Sequence, residues 1–131
     1  MKKVLTIMLL LFCMAGFTAC GQPAPPISLP DADSVLSVQL MQDQQEKTHA
    51  DPLWIQNLLS QLSGAKPTRR ESVQDFPNAE HPIRIDFSLA DGMIRTVFAY
   101  EQDGRYYLEQ PYQGIYQISE QQYAQLEDFE D

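Results

Sequence analysis

The residues able to do chemistry are few, and most of them have a plainer use. Ser63 and Lys66 stand three apart in Ser63-Gly64-Ala65-Lys66. That is the spacing of the serine–lysine pair of penicillin-binding enzymes, in which the serine opens a helix and the lysine sits one turn on. Here Gly64 and Pro67 break the helix such a geometry needs, so the match is read as coincidence. His49 and His81 are the only histidines. His49-Ala50-Asp51 offers two ligands where zinc takes three or four, and Asp31-Ala32-Asp33 lacks the glycine and distant glutamate of a calcium loop. These are read as a turn and a cap, and neither a metal nor another cofactor is expected. Asp86 with Glu109 is the pair on which a carboxylate-based hydrolase or transferase would rest. No nucleophile–base pair accompanies it, so no catalytic residue is assigned and the chain is read as a non-enzyme.

Two clusters point to binding instead. Lys66, Arg69 and Arg70 are a basic group in an acidic domain. Arginine grips carboxylate or phosphate in bidentate fashion, which makes this loop a candidate anion site. Its plainer reading is surface ion pairing with Glu71, Asp75 or the sheet edge, worth little when exposed. Tyr106 to Tyr116 carries four tyrosines together with Glu109, Gln110 and Gln113. Tyrosines beside amides make adaptable contact surfaces, and Pro111 removes a ladder donor, as sheet edges tolerate. Such tyrosines are equally normal on the outer face of an antiparallel strand; on the binding reading, Glu109, Gln110, Tyr112, Gln113 and Tyr116 are expected to form an exposed partner surface on an edge strand.

The address is the firmest expectation. Met1-Lys2-Lys3 is followed by an apolar run from Val4 to Phe12, too short to span a bilayer and ordered like an export signal. Phe17-Thr18-Ala19-Cys20, followed by Gly21, resembles a bacterial lipobox, although Phe17 replaces the usual aliphatic residue. Residues 1–19 are read as a signal peptide and Cys20 as the lipidated residue, which holds the chain on the extracytoplasmic face of the cell membrane. Two acyl chains anchor stably where one does not. The chain has two cysteines, and Cys13 leaves with the signal, so no free thiol or disulfide remains in the domain. Loss of Lys2 and Lys3 leaves seven basic groups against eighteen acidic ones, a net charge of −11. Such a field repels nucleic acid and anionic lipid headgroups, keeps the domain soluble off the membrane, and favours basic or neutral partners. In that setting the tyrosine surface would meet another envelope protein or a wall component.

The elements that must position these residues follow from periodicity and punctuation. Residues 20–33, with Pro23, Pro25, Pro26 and Pro30, read as a stiff polyproline tether that lifts the domain off the membrane. A single domain is expected over 34–131. Leu36, Val38 and Leu40 alternate in a first strand, and Asp43-Gln44-Gln45 turns the chain into a short second one. Asp51 caps a helix that starts at Pro52, shows Trp54, Ile55, Leu58, Leu59 and Leu62 on one face, and stops at Gly64. Trp54→Ala is expected to cost about 3–5 kcal/mol if that ring is well buried. A two-residue turn at Asp91-Gly92 would pair Phe87 with Thr96 and Ile85 with Phe98, placing the large apolar groups of both strands on one face. At the next turn, a two-residue loop Asp103-Gly104 would set Phe98 opposite Glu109 and bury a carboxylate. A three-residue loop Gln102-Asp103-Gly104 would set Phe98 opposite Leu108 and keep that face apolar, so the second register is expected. Ser119 with Gln122 makes a capping box for a short last helix carrying Tyr123 and Leu126. The fold class is α+β: a twisted antiparallel sheet of four to six strands, one main helix packed on one face, and a short C-terminal helix.

Several phrases carry a family likeness: Ile27-Ser28-Leu29-Pro30-Asp31-Ala32-Asp33-Ser34-Val35, Lys66-Pro67-Thr68-Arg69-Arg70-Glu71-Ser72-Val73-Gln74-Asp75, Ile83 to Leu89, and Tyr106 to Tyr116. Together they resemble an uncharacterised domain of Gram-positive (Firmicutes) lipoproteins, domain of unknown function 5301, over about Ile27 to Ile118. Members look like short lipoproteins, and similar domains appear joined to membrane sensor peptidases of the β-lactam-receptor type. The resemblance implies an envelope address and a binding or sensing role, and it supplies no catalytic residue.

Overall fold

Helix α1 (Pro52–Leu62) forms where the punctuation demands. The Asp51 carboxylate accepts from the amides of Leu53 at 2.8 Å and Trp54 at 3.3 Å, and Pro52 fills the first turn where no donor is needed. Ile55, Leu58, Leu59 and Leu62 are buried. The computed structural model describes residues 21–129, so the expected export signal, Cys13 and Cys20 lie outside the described residues. The strands are β1 (Val35–Gln42), β2 (Gln45–His49), β3 (Lys66–Pro67), β4 (Ile83–Leu89), β5 (Ile94–Gln102), β6 (Arg105–Gln110) and β7 (Gly114–Ile118), followed by α2 (Glu120–Leu126). They form one seven-stranded sheet in the order β2-β1-β4-β5-β6-β7-β3, antiparallel at every pairing. Both helices cover one face, where Val38, Leu40, Ile83, Ile85, Phe87, Val97, Ala99, Leu108, Tyr116 and Ile118 meet the α1 side chains with Tyr123 and Leu126 of α2. The Ser119–Gln122 capping box of α2 is present.

The α+β class and the antiparallel sheet are as expected; the strand count exceeds the expected four to six. The added edge is β3, whose Lys66 and Pro67 pair with Gln117 and Tyr116. Two residues, one of them proline, carry no periodicity from which a strand could be read. In β1 a register shift lies between Val35 and Ser37, so Val35 enters the core and Leu36, expected inward, is 61% exposed.

Both hairpin registers differ from expectation by one residue. Leu89 donates its amide to Met93 O across a three-residue loop ending at Gly92, whose φ is +83°. Ile85 therefore faces Val97, and Asp86 rather than Phe87 faces Thr96. Asp103 and Gly104, at φ +54° and +73°, make a two-residue turn in place of the expected three-residue loop, and Phe98 faces Glu109. The two corrections have one cause. Phe98, Tyr100, Tyr107, Glu109 and Ile115 belong to the second face of the sheet, and that face is also covered. The connection between β3 and β4 crosses it, with Phe76 edge-on to Phe98 at 4.8 Å between ring centres and Ala79 against Tyr100, Tyr107 and Ile115.

The proline-rich segment is a second departure. From Ala24 it lies on the domain instead of standing clear of it. The Ala24 amide donates to Thr68 O at 3.1 Å and the Tyr116 hydroxyl donates to Pro25 O at 2.7 Å. The Gln110 side chain accepts from Ser28 N at 3.0 Å and donates to Ser28 O at 2.7 Å, as a neighbouring strand would. Ala24, Ile27 and Leu29 pack against the main core. Extended, donor-poor backbone suits docking by side chains as well as it suits a spacer.

Candidate functional site

The centre of the second face is a buried carboxylate. Glu109 is 2% exposed, yet it sits in a strand whose neighbours on that face are aromatic. Burial of a lone carboxylate is costly unless both oxygens are bonded. Ser72, itself buried, donates its hydroxyl to Glu109 Oε1 at 2.7 Å, and the Tyr100 hydroxyl donates to Oε2 at 3.1 Å. Ser72 Oγ also accepts from the Tyr112 amide at 3.3 Å. One carboxylate thus ties three pieces together: β5 and β6 beneath, the Thr68–Asp75 loop above, and the turn between β6 and β7 beside it. Burial, and then the Glu109 charge, hold the Tyr100 hydroxyl well above the ordinary phenol pKa, with the Arg70 guanidinium acting the other way. Arg70 is positioned rather than free: it donates to Gln102 Oε1 at 2.7 Å and stacks over the Tyr107 ring at 4.9 Å.

Above this clasp lies an exposed apolar group. Val73 is 70%, Phe76 56% and Tyr112 64% exposed. Tyr112 is held at φ +60°, and its hydroxyl is bonded to Asp75, which raises its pKa. These residues lie on two segments that Ser72 and Asp75 join, the β3–β4 connection and the β6–β7 turn.

The expected partner surface is therefore divided. Tyr112 and Gln113 are exposed on the β6–β7 turn. Glu109, Gln110 and Tyr116 are buried, the last completely, and serve as internal bonding groups. The strand itself is no edge: β6 lies between β5 and β7, and Pro111 belongs to the turn, where a missing donor costs nothing. In the basic group, Lys66 and Arg69 are exposed, and no ion pair among the described residues takes either of them. Neither Glu71 nor Asp75, two of the partners the plainer reading offered, pairs with them.

The remaining chemical candidates resolve into structural roles. Ser63 follows the last turn of α1 and donates its hydroxyl to Ser60 O at 2.7 Å, while Lys66 begins a strand. His49 stacks on Trp54 at 3.7 Å; burial, then nearby Lys47, lower its pKa. His81 Nδ1 lies 2.9 Å from Asp43 Oδ1, and that hydrogen bond raises its pKa. Asp86 is engaged by Arg84 Nε at 3.0 Å and the Thr96 hydroxyl at 2.6 Å, separately from Glu109. An open cleft of about 650 Å³ lies between His81, Glu101, Asp103, Tyr123 and Glu127. Among the described residues no three ligating side chains converge on a metal position. Sequence reading missed Ser72, Val73 and Phe76. The available signal was two large apolar residues inside an otherwise polar connection, which a solvated loop would not need.

A seven-stranded antiparallel sheet with helices on one face and a braced loop on the other defines a small α+β domain. The chain belongs to the DUF5301 family, described as "Domain of unknown function (DUF5300)", whose family model matches residues 23–117. That match begins within the docked proline-rich segment. An NMR structure of a protein from Ruminococcus gnavus is similar at 36% identity with a TM-score of 0.64, over 76% of this chain and 98% of that one. No curated protein matches the chain.

Proposed function

We propose that the mature chain is a cell-envelope lipoprotein, anchored to the extracytoplasmic face of the membrane through Cys20, and that its domain is a non-enzymatic binding or sensing module. The binding face in this reading is the loop carrying Val73 and Phe76 together with Tyr112 and Gln113, and the partner is another envelope protein or a wall component. The lipobox-like Phe17-Thr18-Ala19-Cys20 supports the address. One observation carries the binding role: Val73 and Phe76 are exposed on a loop that a buried Glu109 holds to the sheet, and Tyr112 is exposed on the adjoining β6–β7 turn, bonded to the same Ser72. A surface ordered in advance loses little entropy on association. A hydrolase built on Glu109 is disfavoured because both carboxylate oxygens and the Ser72 hydroxyl are spent on internal bonds.

The test is crosslinking in intact envelopes followed by pull-down, comparing wild type with Val73→Ser combined with Tyr112→Asn. Asparagine tolerates the left-handed backbone at that position, so the pair should keep its melting transition while losing the captured partner. Unchanged capture by a folded variant would remove this face from consideration.

A further inference from the structure

We propose that the edge of the domain formed by β3 and the Arg69–Arg70 loop lies against anionic lipid headgroups, with Lys66 and Arg69 meeting their phosphates, so that the anchored domain has one fixed orientation. This inference rests on lipidation at Cys20. The first argument is chain length. Ala24 is bonded to Thr68 O and its Cβ lies against Gly114, where a Cβ would come within 2.4 Å of it. Only Gly21, Gln22 and Pro23 separate that fixed point from Cys20. Four fully extended steps reach about 14 Å at most. Gly21 itself lies beside Arg69 O, at 3.5 Å from where its Cβ would stand. A docked segment of this length cannot act as a spacer; it brings this edge to the membrane surface.

The second argument is charge. Lys66, Arg69 and Arg70 are three of the seven basic groups left after export, and they stand within five residues at the point nearest the anchor. Lys66 and Arg69 are exposed and carry no carboxylate partner among the described residues. The rest of the domain is strongly acidic and is repelled by an anionic leaflet. Screening confines both effects to about 8 Å at physiological salt, so only the edge within that distance is drawn in. Attraction at the edge and repulsion elsewhere act together as a torque that selects one orientation.

The experiment uses the full chain, matured in its host and reconstituted into vesicles of phosphatidylcholine alone or mixed with phosphatidylglycerol, each containing nitroxide-headgroup lipid. A fluorophore is placed at Gln117→Cys, beside β3, or at Thr48→Cys on the opposite edge strand β2. Expected is stronger quenching at position 117 when phosphatidylglycerol is present, none of that gain at position 48, and loss of the gain in Lys66→Gln combined with Arg69→Gln. A lipidated chain whose quenching is indifferent to phosphatidylglycerol, or to the double substitution, overturns the orientation alone. Intact mass without a diacylglyceryl group on Cys20 overturns the anchoring and the orientation together.

Discussion

Glu109 holds together what the loops around it would otherwise leave separate. Its two oxygens are bonded to Ser72 and Tyr100, and through Ser72 to the backbone of Tyr112. Removing the carboxylate strands two buried hydroxyls and leaves a void under the loop. Glu109→Ala is therefore expected to cost about 3 kcal/mol, more than Glu109→Gln, which keeps an acceptor and the volume. Denaturant melts of the two variants at neutral pH measure this. A loss under about 1 kcal/mol for Glu109→Ala would mean that the loop is not held from below. Sequence reading weighed a buried Glu109 and rejected it, because a lone carboxylate among aromatics is a poor core residue. What reversed the balance was Ser72, a residue whose position relative to β6 no local pattern records.

At the scale of elements, punctuation was legible and registers were not. Asp51, Pro52 and Gly64 set the ends of α1, and Ser119 with Gln122 set the start of α2, because capping is a contest among neighbouring groups. Burial along α1 was less legible at its first turn. Trp54 is only partly buried, its ring laid on His49, whereas Leu62 is 1% exposed. Leu62→Ala should cost about 2–5 kcal/mol and Trp54→Ala clearly less than the 3–5 expected for a core tryptophan. Melts of the two side by side decide it; an equal or reversed order would place Trp54 inside. In the hairpins, turn residues located Asp91-Gly92 and Asp103-Gly104, but loop lengths of two and three residues are both open to such sequences. The choice between them fell on which face of β5 was the core. Val97 and Ala99 are small, Phe98 and Tyr100 are large, and the large pair was assigned to the helix face. The helices in fact take the small pair.

For the molecule as a whole, covering the sheet on both faces makes it sensitive to alkali. Burial raises the pKa of Tyr100, and Tyr123 is pushed up to about 12, while both ionise near 10 in the unfolded chain. A phenol whose folded pKa is raised contributes stability that is complete below pH 10. That contribution is lost as pH climbs through 10 toward the folded value, because there the unfolded chain releases protons that the folded one retains. Melts between about pH 8 and about pH 11 should show a steep alkaline decline. Tyr100→Phe should flatten that decline, even though it loses a bond at neutral pH. A decline of equal slope in the variant would mean that Tyr100 is not buried beside Glu109.

The sequence by itself determined what depends on near neighbours or on composition. The acidic charge, the helix caps, the turn sites and the α+β class all follow from composition or from residues within a few positions of one another. Only the tertiary structure decided which face of each strand is inward, that Lys66–Pro67 closes the sheet edge, that the proline-rich segment is docked, and that Glu109, Gln110 and Tyr116 are interior groups. Each of these rests on a bond between residues far apart in the chain: Ser72 to Glu109, Ser28 to Gln110, Pro25 to Tyr116. A hydrogen bond or a buried area formed at such separations is the sum of every intervening turn, and a one-residue change in any of those turns would exchange the two faces of a strand.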